Sequence, residues 1–344
     1  MTRLPLTTQT LYAELLELLT VDEAERSIGH LQGTIVRKTV RGHRYIYLQY
    51  SVPGGGRKQV FVGRQDPALE KFVSDFEKGR QRRTKDLQAR QRLCAQLAAG
   101  GWPLPDAASG RVLQHLADAG LFRHGVLVGT HAWNLIGGML GVSWGSWHQT
   151  EDIDIAGHLQ LAIGNEAVDL PGTLERLKMG FLPVPALNPE DPATSFKVRG
   201  QNLRVDLLCP AHSRQTEGPI LIPAFKAAAQ PLPYLDYLLK EPQRAALPYG
   251  SGVLVMVPSP ARFALHKLII ARERAATWHT KIEKDLHQAA QLLEVLQTDR
   301  PGDLLLAWDD ILQRNWQKKV MAGLEAMQKL HPHLSEQIRK ALAL

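Results

Sequence analysis

Three carboxylates sit where charged groups are normally avoided. Asp152 and Asp154 lie in Thr150-Glu151-Asp152-Ile153-Asp154-Ile155, and Asp206 lies in Leu203-Arg204-Val205-Asp206-Leu207-Leu208. Residues i and i+2 of a strand share a face, so Asp152 and Asp154 stand side by side. Like charges a few ångströms apart repel and raise one pKa. A divalent cation removes that cost. Oxygen ligands of this kind suit Mg²⁺ or Mn²⁺, and Mg²⁺ is usually held by one or two carboxylates plus substrate phosphates. Upstream, Gly129-Thr130 closes the apolar run Val126-Leu127-Val128. Glycine there lets backbone approach a phosphate, and a helix start favours anions. Either signal alone has an ordinary reading, as an N-cap, a turn or a strand-edge charge. Together they point to metal-dependent phosphoryl chemistry.

These residues need a frame. The Val126–Val128 strand is followed by a helix opening at Ala132–Ile136, and Ile153 and Ile155 belong to the next strand. A hairpin around Gly200 brings Asp206 beside the Asp-x-Asp strand. Residues 170–195 are proline-rich and read as loop, with a short helix near Leu174–Met179. Val253–Val257 is a strand ended by Pro258, and the pattern is helical from Pro260 onward, with a break at Pro301-Gly302. Upstream, an amphipathic helix at 10–20 precedes three antiparallel strands, Thr34–Val40, Arg44–Tyr50 and Lys58–Val62, with turns at Arg41-Gly42-His43 and Pro53–Gly56. A sheet of this size needs cover. A helix over 67–98 supplies it, with Pro67 at its start, Gly100-Gly101 past its end and a kink expected at Gly79. Another helix spans about 107–120. The expected fold is α+β: a basic N-terminal module (1–100), a catalytic core with a mixed sheet (101–258) and a C-terminal helical domain (259–344).

The order and spacing of these motifs resemble the DNA polymerase β-like nucleotidyltransferases, and most closely a bacterial branch, the NTP-transferase family 8-type proteins. The resemblance is carried by Leu127–Asn134, Glu151–Ala156, Arg204–Leu208 and Pro260–Leu268, and it spans roughly residues 30 to 300. It implies that Gly129 and Thr130 contact nucleotide phosphates and that Asp152 and Asp154 hold two metal ions bridging an NTP. Asp206 would share the second ion and help deprotonate the acceptor hydroxyl. Lys267 and Lys284 are implied as phosphate contacts, with Lys267 expected to matter more. Thr130 replaces the commoner serine, Gln288 stands where relatives often carry a second acid, and the 141–149 stretch looks inserted, as a lid or part of an acceptor pocket. His131 next to Gly-Thr is either a nucleotide contact or a packing histidine.

The chain has 344 residues and a formal charge of +7. Residues 1–100 hold 17 lysines and arginines against 10 acids, and the remainder holds 24 of each. A localised basic excess favours polyanions, chiefly nucleic acid. Arg37, Lys38, Arg44 and Lys58 interleave with Tyr45 and Tyr47, which share a face and are placed to stack on bases. The run Arg80–Lys85 is either a solvated helix face or an RNA contact. RNA, such as the tRNA 3′ end, is therefore the favoured acceptor. By analogy with nucleotidyltransferase-fold toxins, an antitoxin or regulatory protein is a candidate partner. The alternatives are an enzyme modifying a protein or small molecule, and a non-catalytic nucleic-acid-binding protein. Two cysteines exclude a disulfide framework or a Cys-based zinc site. No apolar run approaches a membrane span and no signal peptide is evident, so a cytoplasmic location is expected.

Overall fold

The computed structural model describes the chain apart from residues 28–32, 41, 52–56, 146–150, 158–166, 187, 212–217 and 343–344. At residues 25–27, 51, 72, 75, 79–84 and 276 only the backbone is described. Arg41, the Pro53–Gly56 turn, the 146–149 part of the insertion and the side chains of Arg80 to Thr84 therefore lie outside the described residues.

β1 (Thr2–Arg3) leads into α1 (Leu6–Ser27), longer than the helix expected at 10–20. β2 (Thr34–Val40), β3 (His43–Ser51) and β4 (Arg57–Arg64) form the expected antiparallel three-stranded sheet. Ile46 and Leu48 are buried on one face of it. α2 (Pro67–Ala99) starts where Pro67 predicts, capped by the Asp66 carboxylate, which accepts from the Leu69 amide at 2.7 Å. It ends at Gly100 and runs as one helix through Gly79. Its last turns pack Leu93, Cys94 and Leu97 against Tyr12, Leu15 and Leu19 of α1, with Trp102 stacked on Tyr12 at 4.3 Å between ring centroids. At 1.5 Å per residue α2 is about 50 Å long.

α3 (Ala107–Asp118) is capped by Asp106, whose carboxylate accepts from the Ala108 and Ser109 amides, both at 2.9 Å. β5 (Gly125–Val128), α4 (Gly129–Met139), β6 (Val142–Ser143), which pairs with β1, and β7 (Asp152–Gly157) follow. α5 (Leu170–Arg176) begins four residues earlier than expected, because Asp169 caps it by accepting from the Gly172 amide at 3.0 Å. β8 (Phe181–Pro183), β9 (Ser195–Val198), β10 (Arg204–Pro210), β11 (Ile220–Ile222) and β12 (Ala227–Leu232) complete the main sheet. Its order is β11-β12-β10-β7-β5, with β9 along the first half of β10 and β8 beyond it. β10 runs parallel to both β7 and β12, whereas β5 and β11 pair antiparallel, so the sheet is mixed as expected.

α6 (Leu235–Leu238) precedes β13 (Gln243–Leu247) and β14 (Val253–Val257), which among the described residues pair only with each other. Five helices close the chain: α7 (Pro260–Glu273), α8 (His279–Asp299), α9 (Pro301–Gln313), α10 (Gln317–Gln328) and α11 (Pro332–Ala341). The break expected at Pro301-Gly302 is the α8–α9 junction. One buried apolar cluster runs from Val112 to Leu342 and joins the sheet to these helices. Both cysteines are buried and unpaired. Among the described residues no helix is long and apolar enough to cross a membrane.

Candidate active site

β7 and β10 place the three carboxylates. Their parallel register sets Asp206 opposite Asp154 and Arg204 opposite Asp152. All four side chains therefore emerge on one face, as the two-residue spacing requires. On the other edge of β7, Val128 lies opposite Asp154, so the chain leaves β5 at Gly129 directly against that carboxylate. Gly129 has φ +67°, and a Cβ there would sit 2.0 Å from Asp154 Oδ2. Both the backbone conformation and the contact demand glycine. α4 starts at Gly129 with no side-chain cap, leaving its first amides available to an anion.

Burial, then the charges of Asp206 and Asp152, push the Asp154 carboxyl up to about 6, against the pull of Lys267 and Arg204. Asp206 is held differently. Ser195 Oγ donates to its Oδ1 in a short hydrogen bond, and Arg204 Nε donates to the same oxygen at 2.6 Å. Arg204 Nη2 also donates to Ser195 Oγ at 2.8 Å, closing a three-membered network. Neither Ser195 nor Arg204 was among the candidates from sequence. Arg204 carried the better signal, since it lies two residues from Asp206 on the same strand and so on the same face.

Among the described residues, no group of three or more His, Cys, Asp or Glu converges as a ready-made metal cage. The donor set nevertheless fits a hard divalent cation. Two carboxylates share a face, the Asp154 anion is disfavoured without a counter-charge, and Mg²⁺ commonly takes its remaining ligands from phosphates and water.

The two candidate lysines reach the site from α7 and α8 with different partners. Lys284 Nζ donates to Thr130 Oγ1 at 3.0 Å, beside the start of α4. Burial, then the nearby charge of Lys267, lowers its pKa from the ordinary lysine value, against the pull of Asp285, Asp154 and Asp152. Lys267 Nζ instead donates to Asp285 Oδ1 at 2.6 Å, and Arg274 Nε donates to Asp285 Oδ2 at 2.7 Å. Burial alone would raise the pKa of the buried Asp285, but these two cations carry it below the usual carboxylate range. Lys284 and not Lys267 touches the Gly-Thr turn.

A cavity of about 850 Å³ borders Asp152. Its polar lining is Asp106, His131, Asn134, Glu151, Asp152 and Asn202. His131 is buried, and burial draws its pKa down to about 4, only partly opposed by Asp106. In the described part of the insertion Trp144 is buried: its Nε1 donates to the Trp133 carbonyl at 2.8 Å, and the two rings stack.

The six basic and aromatic candidates of the N-terminal sheet divide between its faces. Lys38, Tyr45 and Tyr47 share the outer face with Phe61, which is 56% exposed. Lys38 Nζ lies 4.8 Å from the Tyr47 ring centroid, and Phe61 packs at 5.6 Å from Tyr47 and 6.0 Å from Tyr45. Arg37, Arg44 and Lys58 fall on the face of Ile46 and Leu48. There Arg37 pairs with Glu77 at 3.2 Å and Glu70 at 3.5 Å, both on α2.

An uncapped helix start thus lies against crowded carboxylates, with Lys284 reaching it from α8. The chain belongs to the nucleotidyltransferase family, whose model matches residues 107–313. That match covers all three carboxylates, the Gly-Thr turn and both lysines. No curated protein matches the chain significantly. Among solved structures it is similar to an antigenic nucleotidyltransferase-like protein from Paracoccidioides brasiliensis, at 15% identity over 64% of this chain and 95% of that one, with a TM-score of 0.35. At that TM-score the likeness adds nothing to the assignment.

Proposed function

We propose that this nucleotidyltransferase transfers a nucleoside monophosphate from an NTP to a hydroxyl of RNA, with a terminal hydroxyl such as that of a tRNA 3′ end as the best candidate. The observation that carries the reading is the meeting of Gly129, Asp154 and Lys284–Thr130 at one point, between a carboxylate face and an open helix start. The α4 amides and Lys284 bind the triphosphate, and Asp152 and Asp154 are the primary ligands for Mg²⁺ or Mn²⁺. When bound, two such ions would neutralise the carboxylates and draw charge from the phosphates. Asp206, oriented by Ser195 and Arg204, receives the acceptor proton. Residues 1–100 recruit the acceptor, residues 101–258 carry the chemistry and residues 259–344 close over the nucleotide.

RNA is favoured over other acceptors by the basic excess of the first hundred residues and by the outer face of the sheet. Lys38, Tyr45, Tyr47 and Phe61 there combine charge with stacking surface. Such a protein works in the cytoplasm, and an antitoxin-like partner remains an analogy with nucleotidyltransferase-fold toxins.

The test is incubation of the full chain with each α-labelled NTP, Mg²⁺ and total RNA or protein, following label and pyrophosphate. Label in RNA that disappears with EDTA and in Asp152→Asn is the expected result. Undiminished transfer by Asp152→Asn would remove the carboxylate site from the reaction.

A further inference from the structure

The family match begins at residue 107, so the three-stranded sheet of β2, β3 and β4 lies outside it. Residues 27–65 hold seven lysines and arginines and no aspartate or glutamate, so this one stretch accounts for the whole formal charge of +7. The sheet divides its cations by face. Arg37, Arg44 and Lys58 lie on the side of Ile46 and Leu48, where α2 supplies Glu70 and Glu77 to Arg37. Lys38, Arg57 and Arg64 lie on the opposite side, with Tyr45, Tyr47 and Phe61. Among the described residues none of these three cations meets a carboxylate. Lys38 Nζ donates to Gln59 Oε1 at 2.5 Å, and Arg64 Nη2 lies 2.9 Å from His43 Nδ1.

The three rings form one patch. Phe61, more than half exposed, lies 5.6 Å from Tyr47 and 6.0 Å from Tyr45 between centroids, and Lys38 Nζ sits 4.8 Å from the Tyr47 ring. Exposed rings beside uncompensated positive charge have a chemical complement: a chain of phosphates whose base faces are uncovered. A duplex matches only half of this surface, because its base faces are stacked inside and only its backbone reaches the protein.

We propose that the outer face of this sheet is a binding site for single-stranded RNA. Unpaired bases lie on Tyr45, Tyr47 and Phe61 and their phosphates on Lys38, Arg57 and Arg64, independently of NTP and of the carboxylates. The site rests on the RNA reading above for the identity of the polymer, but its binding needs no turnover, so the two fail separately. The inner-face cations take no part. Three phosphate contacts rather than seven then set the salt dependence, with log K falling against log salt at a slope of about −2 instead of about −5.

The test is fluorescence anisotropy on the full chain in EDTA without NTP, using a labelled uridylate 12-mer, its deoxyuridylate counterpart and a 12-base-pair RNA duplex. The uridylate should bind at least tenfold tighter than the duplex, with a slope near −2. Phe61→Ala should weaken it at least fivefold, and Tyr47→Leu should do the same in case the first variant folds poorly. Arg44→Gln with Lys58→Gln, on the inner face, should change affinity less than twofold, and so should Asp152→Asn. Duplex bound as tightly as single strand, or equal losses from variants on the two faces, would overturn the proposal. Loss of binding in Asp152→Asn would do so too, by placing the RNA on the carboxylates. A deoxyuridylate bound tenfold tighter than the uridylate would overturn RNA as the occupant. So would a chain that ignores all three probes and self-associates until Phe61→Ala makes it monomeric. Single-strand binding without nucleotidyl transfer to any RNA would instead overturn the transfer reading and leave this site standing.

Discussion

The two sides of the carboxylate face are electrostatic opposites. Toward α7 and α8 the site presents Lys284 on Thr130, with Lys267 and Arg274 clamped on Asp285. Toward α3 and the N-terminal module it presents Asp106 and Glu151, a neutral histidine and an apolar wall. One set of acids therefore borders both a cationic and an anionic environment. The contrast gives the site a direction, with cations gathered on one side of the carboxylates and further acids on the other.

The sharpest way to break this comparison is to remove the acid at its centre. Asp154→Asn should lower transfer by several orders of magnitude in a labelled-NTP assay, because metal neutralisation of charge supplies much of the barrier reduction. Gly129→Ala should do nearly as much, since any Cβ there displaces the Asp154 carboxylate. Near-normal turnover by either variant would show that the chemistry lies elsewhere.

Next in size is the contrast between the lysines. Lys284→Ala removes a charge from the Gly-Thr turn and should weaken NTP binding by about 1.5–3 kcal/mol, with little effect on melting. Lys267→Ala removes one of two cations from buried Asp285 and should cost stability, about 1–3 kcal/mol, more than NTP affinity. Paired titrations and melts on both variants check this. Equal loss of affinity in the two would mean that Lys267 leaves Asp285 when nucleotide binds.

A smaller effect concerns pH without metal. The Asp154 pKa is raised from the ordinary carboxylate value to about 6, so its contribution to stability is greatest below about pH 4 and is lost as pH rises through about 6. In EDTA, wild type should therefore gain on the order of 1–3 kcal/mol relative to Asp154→Asn as pH falls from 7 to 4. Added Mg²⁺ should remove the wild type's disadvantage at pH 7. A pH-independent difference between the two melts would mean that Asp154 is not the strained acid.

Much of this architecture was legible because strong local patterns agree with it. Alternation around Asp152 and Asp154, Pro67 and Gly100 bracketing α2, and the hairpin at Gly200 all reappear in the structure. The illegible part has physical causes. β12 is the run Ala227-Ala228-Ala229-Gln230-Pro231-Leu232, which lacks β-branched residues and contains a proline, so only its pairing with β10 and β11 makes it a strand. Phe61 read as one more apolar strand residue, yet it is the most exposed aromatic of the sheet's outer face.

By itself the sequence determined the carboxylate set, the Gly-Thr turn, the basic excess of the first hundred residues and the family, because side-chain type, two-residue periodicity and backbone freedom at glycine are properties of short segments. Only the tertiary structure decided which lysine meets Thr130, that Ser195 and Arg204 hold Asp206, that Arg37 is taken by Glu70 and Glu77, and that a carboxylate-lined cavity flanks Asp152. The lysine and Arg37 contacts join residues tens to more than a hundred positions apart, the Ser195–Asp206 bond needs the β9–β10 pairing, and Coulomb attraction, burial and hydrogen bonding act on distances in space that no local pattern encodes.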